Sequence, residues 1–223
     1  MKRRTLDIAF SVGGVIVAVA LFVLGFVLKQ QADFATEYVD RELSAQQISF
    51  PETYDRGETE VAGSDCLVGF AGQALNTGAE AECYARYYIA THMMHSATDA
   101  GFEGATYASL GGPVGEARTA LADAKEGGDE DAIAEAQAAF DKVNGLRETM
   151  FKGETLRGLL LTVYGFSVFG EKAEVAMWVC WVAAIAIMVL SIAGFVHAFA
   201  SKKADNVILA VEHHEHDKDM AQV

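Results

Sequence analysis

Two uncharged apolar runs constrain this chain more than anything else in it. From Ile8 to Leu28 it reads IAFSVGGVIVAVALFVLGFVL, and from Val175 to Phe199 VAMWVCWVAAIAIMVLSIAGFVHAF, where only His197 can take up a charge. Roughly 20 apolar residues cross the hydrocarbon core of a bilayer as an α-helix, and a longer run spans with tilt. The expected fold is therefore an all-α membrane protein, with two transmembrane helices flanking an extracytoplasmic helical domain. The expected division is 1–7 cytoplasmic, 8–28 first span, 29–172 outer domain, 173–200 second span and 201–223 a cytoplasmic His-rich tail.

The opening MKRR would also suit a secretory signal, but signal h-regions run about 7–15 residues and end at a small-x-small cleavage site. This run is longer and leaves into KQQADF, so a retained signal-anchor is expected. Lys and Arg resist translocation. Lys2, Arg3 and Arg4 precede the first span and Lys202 and Lys203 follow the second, which places both termini in the cytoplasm and the middle outside the cell membrane.

The formal net charge is −14, and nearly all the acidity falls between the spans. Such a surface repels phosphate backbones, so nucleic acid is excluded as a partner. With only 2 prolines, the outer segment favours helices. The spacing of Phe34, Val39, Leu43 and Ile48 predicts that the first helix runs on until Pro51. A polar loop follows, then a helix over 79–98. Gly111, Gly112 and Pro113 predict a break, and 116–150 reads as a helical hairpin turning at Gly127-Gly128-Asp129. Leu121, Ile133, Phe140, Val143 and Leu146 lay a narrow apolar stripe along its arms. Leu159 to Phe169 is apolar on every side but too short to span, which suits a core helix or an interfacial segment. Glu171 and Glu174 predict the start of the second spanning helix, since acidic residues favour a helix N-terminus. Trp178 and Trp181 fit an outer interfacial belt.

Cys66 and Cys83 fall in the outer segment, and Cys180 lies within the second span. Two thiols in an oxidising compartment make a Cys66–Cys83 disulfide the expected pairing. A bridged Cys83 is no longer a metal ligand. His92 and His95 share one helix face and remain candidate ligands for a divalent metal, as do His213, His214 and His216 in the tail. The structural alternative, a packing helix with Met93 in the core and half-exposed histidines, is favoured, and no cofactor is expected. The sequence contains no Gly-rich phosphate loop, G-x-S-x-G, H-E-x-x-H or C-x-x-C motif, so an enzyme is not expected.

The stretches MKRRTLDI, ECYARYYIATHM, TYASLGGPVGEAR and ETMFKGETLRGLLLTVYGFSVFGEKA resemble a family of actinobacterial two-span membrane proteins. Its members often carry the label "aromatic ring-opening dioxygenase, small subunit". That label implies a non-haem iron on two imidazoles and a carboxylate. The outer segment has only His92 and His95 as imidazoles, which argues against the label. The function expected from the sequence is a structural, assembly or accessory subunit of a membrane complex, in contact with lipid and with protein partners or a second copy through small-residue faces of the spans. An extracytoplasmic sensor or ligand-binding protein is the alternative, and a metal-handling protein a further one. Ala9, Gly13, Gly14 and Ala18 in the first span, with Ala183, Ala184, Ala186, Gly194 and Ala198 in the second, supply those small faces.

Overall fold

A computed structural model describes residues 3–54, 57 and 61–200. Lys2, Lys202, Lys203, His213, His214 and His216 lie outside the described residues. The described residues form helices α1 (Arg3–Ser44), α2 (Asp65–Gly69), α3 (Gly78–Cys83), α4 (Ala90–Asp99), α5 (Gly111–Gly127) and α6 (Glu130–Ala200), with a π-helical segment, Tyr84–Ile89, joining α3 to α4. The chain divides into two units, one of Met1–Gln31 with Lys172–Val223 and the other of Ala32–Glu171.

In the first unit, the apolar parts of α1 and α6 are each long and apolar enough to cross a membrane. They pair antiparallel: the Arg4 guanidinium lies 5.1 Å from the centre of the Phe199 ring, Gly14 faces Ser191 and Gly25 faces Trp181. Buried positions recur every seventh residue, at Ser11, Ala18 and Gly25 on α1 and at Met177, Ala184, Ser191 and Ala198 on α6. A seven-residue repeat keeps one stripe of each helix turned to its partner. Nearly every residue in the stripe is small, which lets the two backbones approach. The bulky side chains point away, Phe10 at 78%, Ile16 at 64%, Val182 at 63% and Leu190 at 70% exposure.

The second unit has the opposite interior. Val39, Leu43, Phe50, Leu67, Leu75, Ile89 and Leu160 form one core, and Ala97, Leu110, Val114, Val143, Leu146 and Met150 a second. Met93 packs against both. Burial of large apolar side chains, each contributing about 1.5–3 kcal/mol, is what holds such a unit together in water.

Several boundaries differ from the sequence expectation, for local reasons. Helix α1 stops at Ser44, short of Pro51, because Gln47 turns left-handed at φ 54° and Ile48 and Phe50 are drawn into backbone bonds with Leu75 and Gln73. Gly111-Gly112-Pro113 opens α5 rather than breaking the chain. Proline is tolerated in a first turn, where its missing N–H has no intrahelical acceptor. The hairpin tip is as expected: Gly128 takes φ 74°, and Asp129 Oδ1 accepts from the amides of Asp131 (3.0 Å) and Ala132 (3.3 Å) to cap α6. Leu121, Val143 and Leu146 of the stripe are buried, Ile133 and Phe140 partly so. Glu171 and Glu174 start no helix, since α6 is continuous from Glu130. Within α6, Leu160 is buried at 1% while Leu159 (61%) and Phe169 (75%) face outward, so this segment is core on one side only.

Candidate functional site

The motif that most resembled a metal site, Cys83 to His95, lies on α3, the π segment and α4. Its start is fixed by a capping box. Glu80 N–H donates to Thr77 Oγ1 at 3.3 Å, while the Thr77 and Asn76 amides donate to Glu80 Oε2 at 2.7 and 2.8 Å, which accounts for a carboxylate only 6% exposed. Gly78 sits against Ser167 of α6, where a Cβ would collide with the serine. Cys83, 3% exposed, is disulfide-bonded to Cys66 with the Cα atoms 6.1 Å apart. The bridge ties α3 to α2 beside Leu67, which is completely buried.

Beyond Cys83 the chain widens into the π turn. Tyr84, Tyr88 and His92 follow one another along it, with ring centres 4.7 Å apart for the tyrosines and 4.3 Å for Tyr88 and His92. Phe50 meets Tyr84 edge-on at 5.2 Å. Burial first, and then the neighbouring Tyr88 and Tyr54, push the Tyr84 phenol up to about 12. Arg157 of α6 donates from Nε to the Ala85 carbonyl at 3.0 Å, satisfying an acceptor inside this irregular turn. The Glu82 carboxylate, paired with Arg86 at 2.8 Å, raises the Tyr164 hydroxyl above its ordinary pKa. The aromatic column is thus packed on Phe50 at its Tyr84 end, and the turn that carries it is bonded to α6 through Arg157. Its tyrosines are visible in the sequence as ECYARYY, but the spacing of a regular helix does not predict the π turn that stacks them.

His92 and His95 are both exposed. His92 Nδ1 lies 2.9 Å from the Tyr88 carbonyl. The His95 ring stands about 3.7 Å from where a Gly57 Cβ would be. Met93 is half-buried between the two cores and Met94 is 48% exposed, so the two thioethers point apart. Among the described residues, no three His, Cys, Asp or Glu side chains are grouped so as to hold a metal ion. Of the iron site that the ring-opening label implies, the described residues supply two imidazoles on adjacent turns, and among those residues no carboxylate joins them.

The second candidate is the small-residue seam of the first unit. A Cβ at Gly14 would strike Ser191, with its Cβ 3.4 Å and Ile187 Cγ2 3.6 Å away. A Cβ at Gly194 would strike Ser11, and one at Gly25 the Trp181 indole. Trp181 also donates from Nε1 to the Phe22 carbonyl at 3.4 Å. Trp181 is thus a seam residue, whereas Trp178 is 56% exposed. Of the small residues read from the sequence, Ala18, Ala184 and Ala198 are buried with Gly14 and Gly194 in the contact, while Ala9, Gly13 and Ala186 face outward. Ser11 and Ser191 are the seam residues that sequence reading missed. Their heptad positions relative to Ala18 and Ala184 carry the signal.

No family model, curated protein or solved structure matches this chain.

Proposed function

We propose that this chain is a two-span membrane protein with both ends cytoplasmic and a disulfide-stapled helical domain outside, acting as a structural or accessory subunit of a cell-envelope complex. The observation that carries this reading is the reversal of side-chain character between the two units. The first presents Phe, Ile, Leu and Val outward over a seam of Gly, Ala and Ser. Apolar surface of that extent is not stable in water, and it matches what lipid solvates. The antiparallel pairing puts the start of α1 and the end of α6 on the same side, which agrees with the basic residues at both places. The Cys66–Cys83 bridge agrees with an oxidising outer compartment. The resemblance to the actinobacterial two-span family fits the same architecture and adds no activity to it.

Reporter fusions at the C-terminus and in the loop at Gly127, combined with purification in mild detergent and identification of co-purifying proteins, test the reading. It predicts a cytoplasmic end, an external loop and a stoichiometric partner or second copy. An external C-terminus would overturn the topology, and a monomer that purifies alone from native membranes would overturn the accessory role.

A further inference from the structure

The seam is polar at one end. Asp7, Ser11 and Ser191 line a hollow of about 280 Å³ with Gly14, Phe10 and Leu190 among its walls. Asp7 Oδ2 is buried and has no hydrogen-bond partner among the described residues. An unpaired buried carboxylate oxygen is costly, so a further donor is favoured there. Ser11 is only 3% exposed, and its hydroxyl is turned onto the bare backbone of Gly194. Ser191 donates to the Ile187 carbonyl at 2.8 Å, which leaves its oxygen able to accept.

One carboxylate and two hydroxyls offer acceptors for the three N–H bonds of a primary ammonium. They are too few and too weakly charged for Ca2+ or Mg2+, which take six or more oxygens. The Arg4 guanidinium lies one turn from Asp7 on the same helix, so a positive group stands near the negative one at this end of the pair. Phe10 and Leu190 flank the hollow and are 78% and 70% exposed. Asp7 directly precedes the apolar run that begins at Ile8, so in a bilayer it lies at headgroup depth.

We propose that the hollow between Asp7, Ser11 and Ser191 binds the headgroup of an ethanolamine phospholipid, the ammonium on Asp7 and the serines, the phosphate toward Arg4, and an acyl chain along Phe10 and Leu190. This rests on the membrane-spanning reading above.

The test uses the full-length protein in nanodiscs containing phosphatidylethanolamine, phosphatidylcholine or phosphatidylglycerol, with retained lipid counted by native mass spectrometry. Phosphatidylethanolamine should be retained about tenfold better than phosphatidylcholine, which has no N–H to donate, as expected for hydrogen bonds to a charged group. Asp7→Asn should remove the preference and Asp7→Glu should keep most of it. Equal retention of the three lipids by the unaltered protein would overturn the proposal without recourse to any variant, as would a preference that survives Asp7→Asn. If Asp7→Asn instead releases a co-purifying protein and leaves lipid retention unchanged, a partner's basic side chain fills the hollow and the lipid assignment is wrong. Failure of the protein to enter nanodiscs at all would count against the spanning reading itself.

Discussion

Helix α6 contains two leucines that teach opposite lessons. Leu160, in the second unit, is 1% exposed among Leu43, Leu67 and Leu75, whereas Leu190, in the first, is 70% exposed beside a seam of Ser191 and Gly194. The interior of the second unit is built from large apolar side chains, as the hydrophobic effect in water requires, although some, such as Leu159 and Phe169, stay outside it. In the first, the smallest side chains are hidden and the largest face out. In lipid an outward Leu loses nothing, and helix contact is gained only through close backbone approach. One continuous helix thus follows two patterns of burial along its length, and under the membrane-spanning proposal the change between them falls where the helix would leave water for lipid.

The largest effect expected from this contrast is on Leu160. Leu160→Ala should destabilise the second unit by about 2–5 kcal/mol, while Leu190→Ala in a bilayer should change stability by less than about 0.5 kcal/mol. Chemical denaturation in mild detergent measures both. Equal losses at the two sites would mean that both units bury leucine in the same way.

Removing the Cys66–Cys83 bridge with paired serine substitutions should lower the stability of the second unit by roughly 3 kcal/mol, because the loop it closes regains freedom on unfolding. Pairing of α1 with α6 between Ser11 and Ala198 should be unaffected. Separate thermal transitions, followed by a Trp181 signal for the first unit and tyrosine signals for the second, distinguish the two.

Gly14→Leu should cost about 1–3 kcal/mol of helix pairing, since its side chain would enter Ser191 and Ile187. Gly13→Leu is the sharper control: a Cβ there meets nothing within 4 Å. Val23→Leu, at a site 56% exposed, should likewise be silent. If Gly13→Leu and Gly14→Leu weaken pairing alike, the seam is not the contact.

The smallest effect concerns pH. The Tyr84 phenol ionises near 10 when unfolded and at about 12 in the folded chain. Between those values the unfolded state gives up its proton first, so the contribution of Tyr84 is complete below pH 10 and is lost as pH rises toward 12. Tyr84→Phe should flatten the stability profile over that interval and leave the first unit unchanged.

Much of this was legible in the sequence because the signals were long or chemically unambiguous. The uncharged runs from Ile8 and Val175, the pair of thiols between those runs and the Gly128-Asp129 turn each depend on residue type alone. Boundaries were harder. Gly111-Gly112-Pro113 contains the residues of a break and of a helix start alike, and only the burial of Leu110 and Val114 decides between them. Asp65–Gly69 is one short helix with no side-chain cap, so it left no mark beside its polar neighbours. Glu171 and Glu174 looked like a helix start, but nothing in their spacing distinguishes that from an exposed face in mid-helix. The π turn at Tyr84–Ile89 has no sequence code of its own, and Asp7 was masked by the basic residues around it.

The central claim is that outward side chains of the first unit lie in hydrocarbon. With Cys180 replaced by alanine, single nitroxide labels at Ile16, Val23, Val182 and Val189 in bilayers report contact with oxygen, which concentrates in lipid, and with a water-soluble nickel chelate. All four positions are well exposed in the structure, at 64%, 56%, 63% and 59%. The account predicts high oxygen and low nickel collision at every one of them. High nickel collision at these sites, in protein that remains folded, would contradict it.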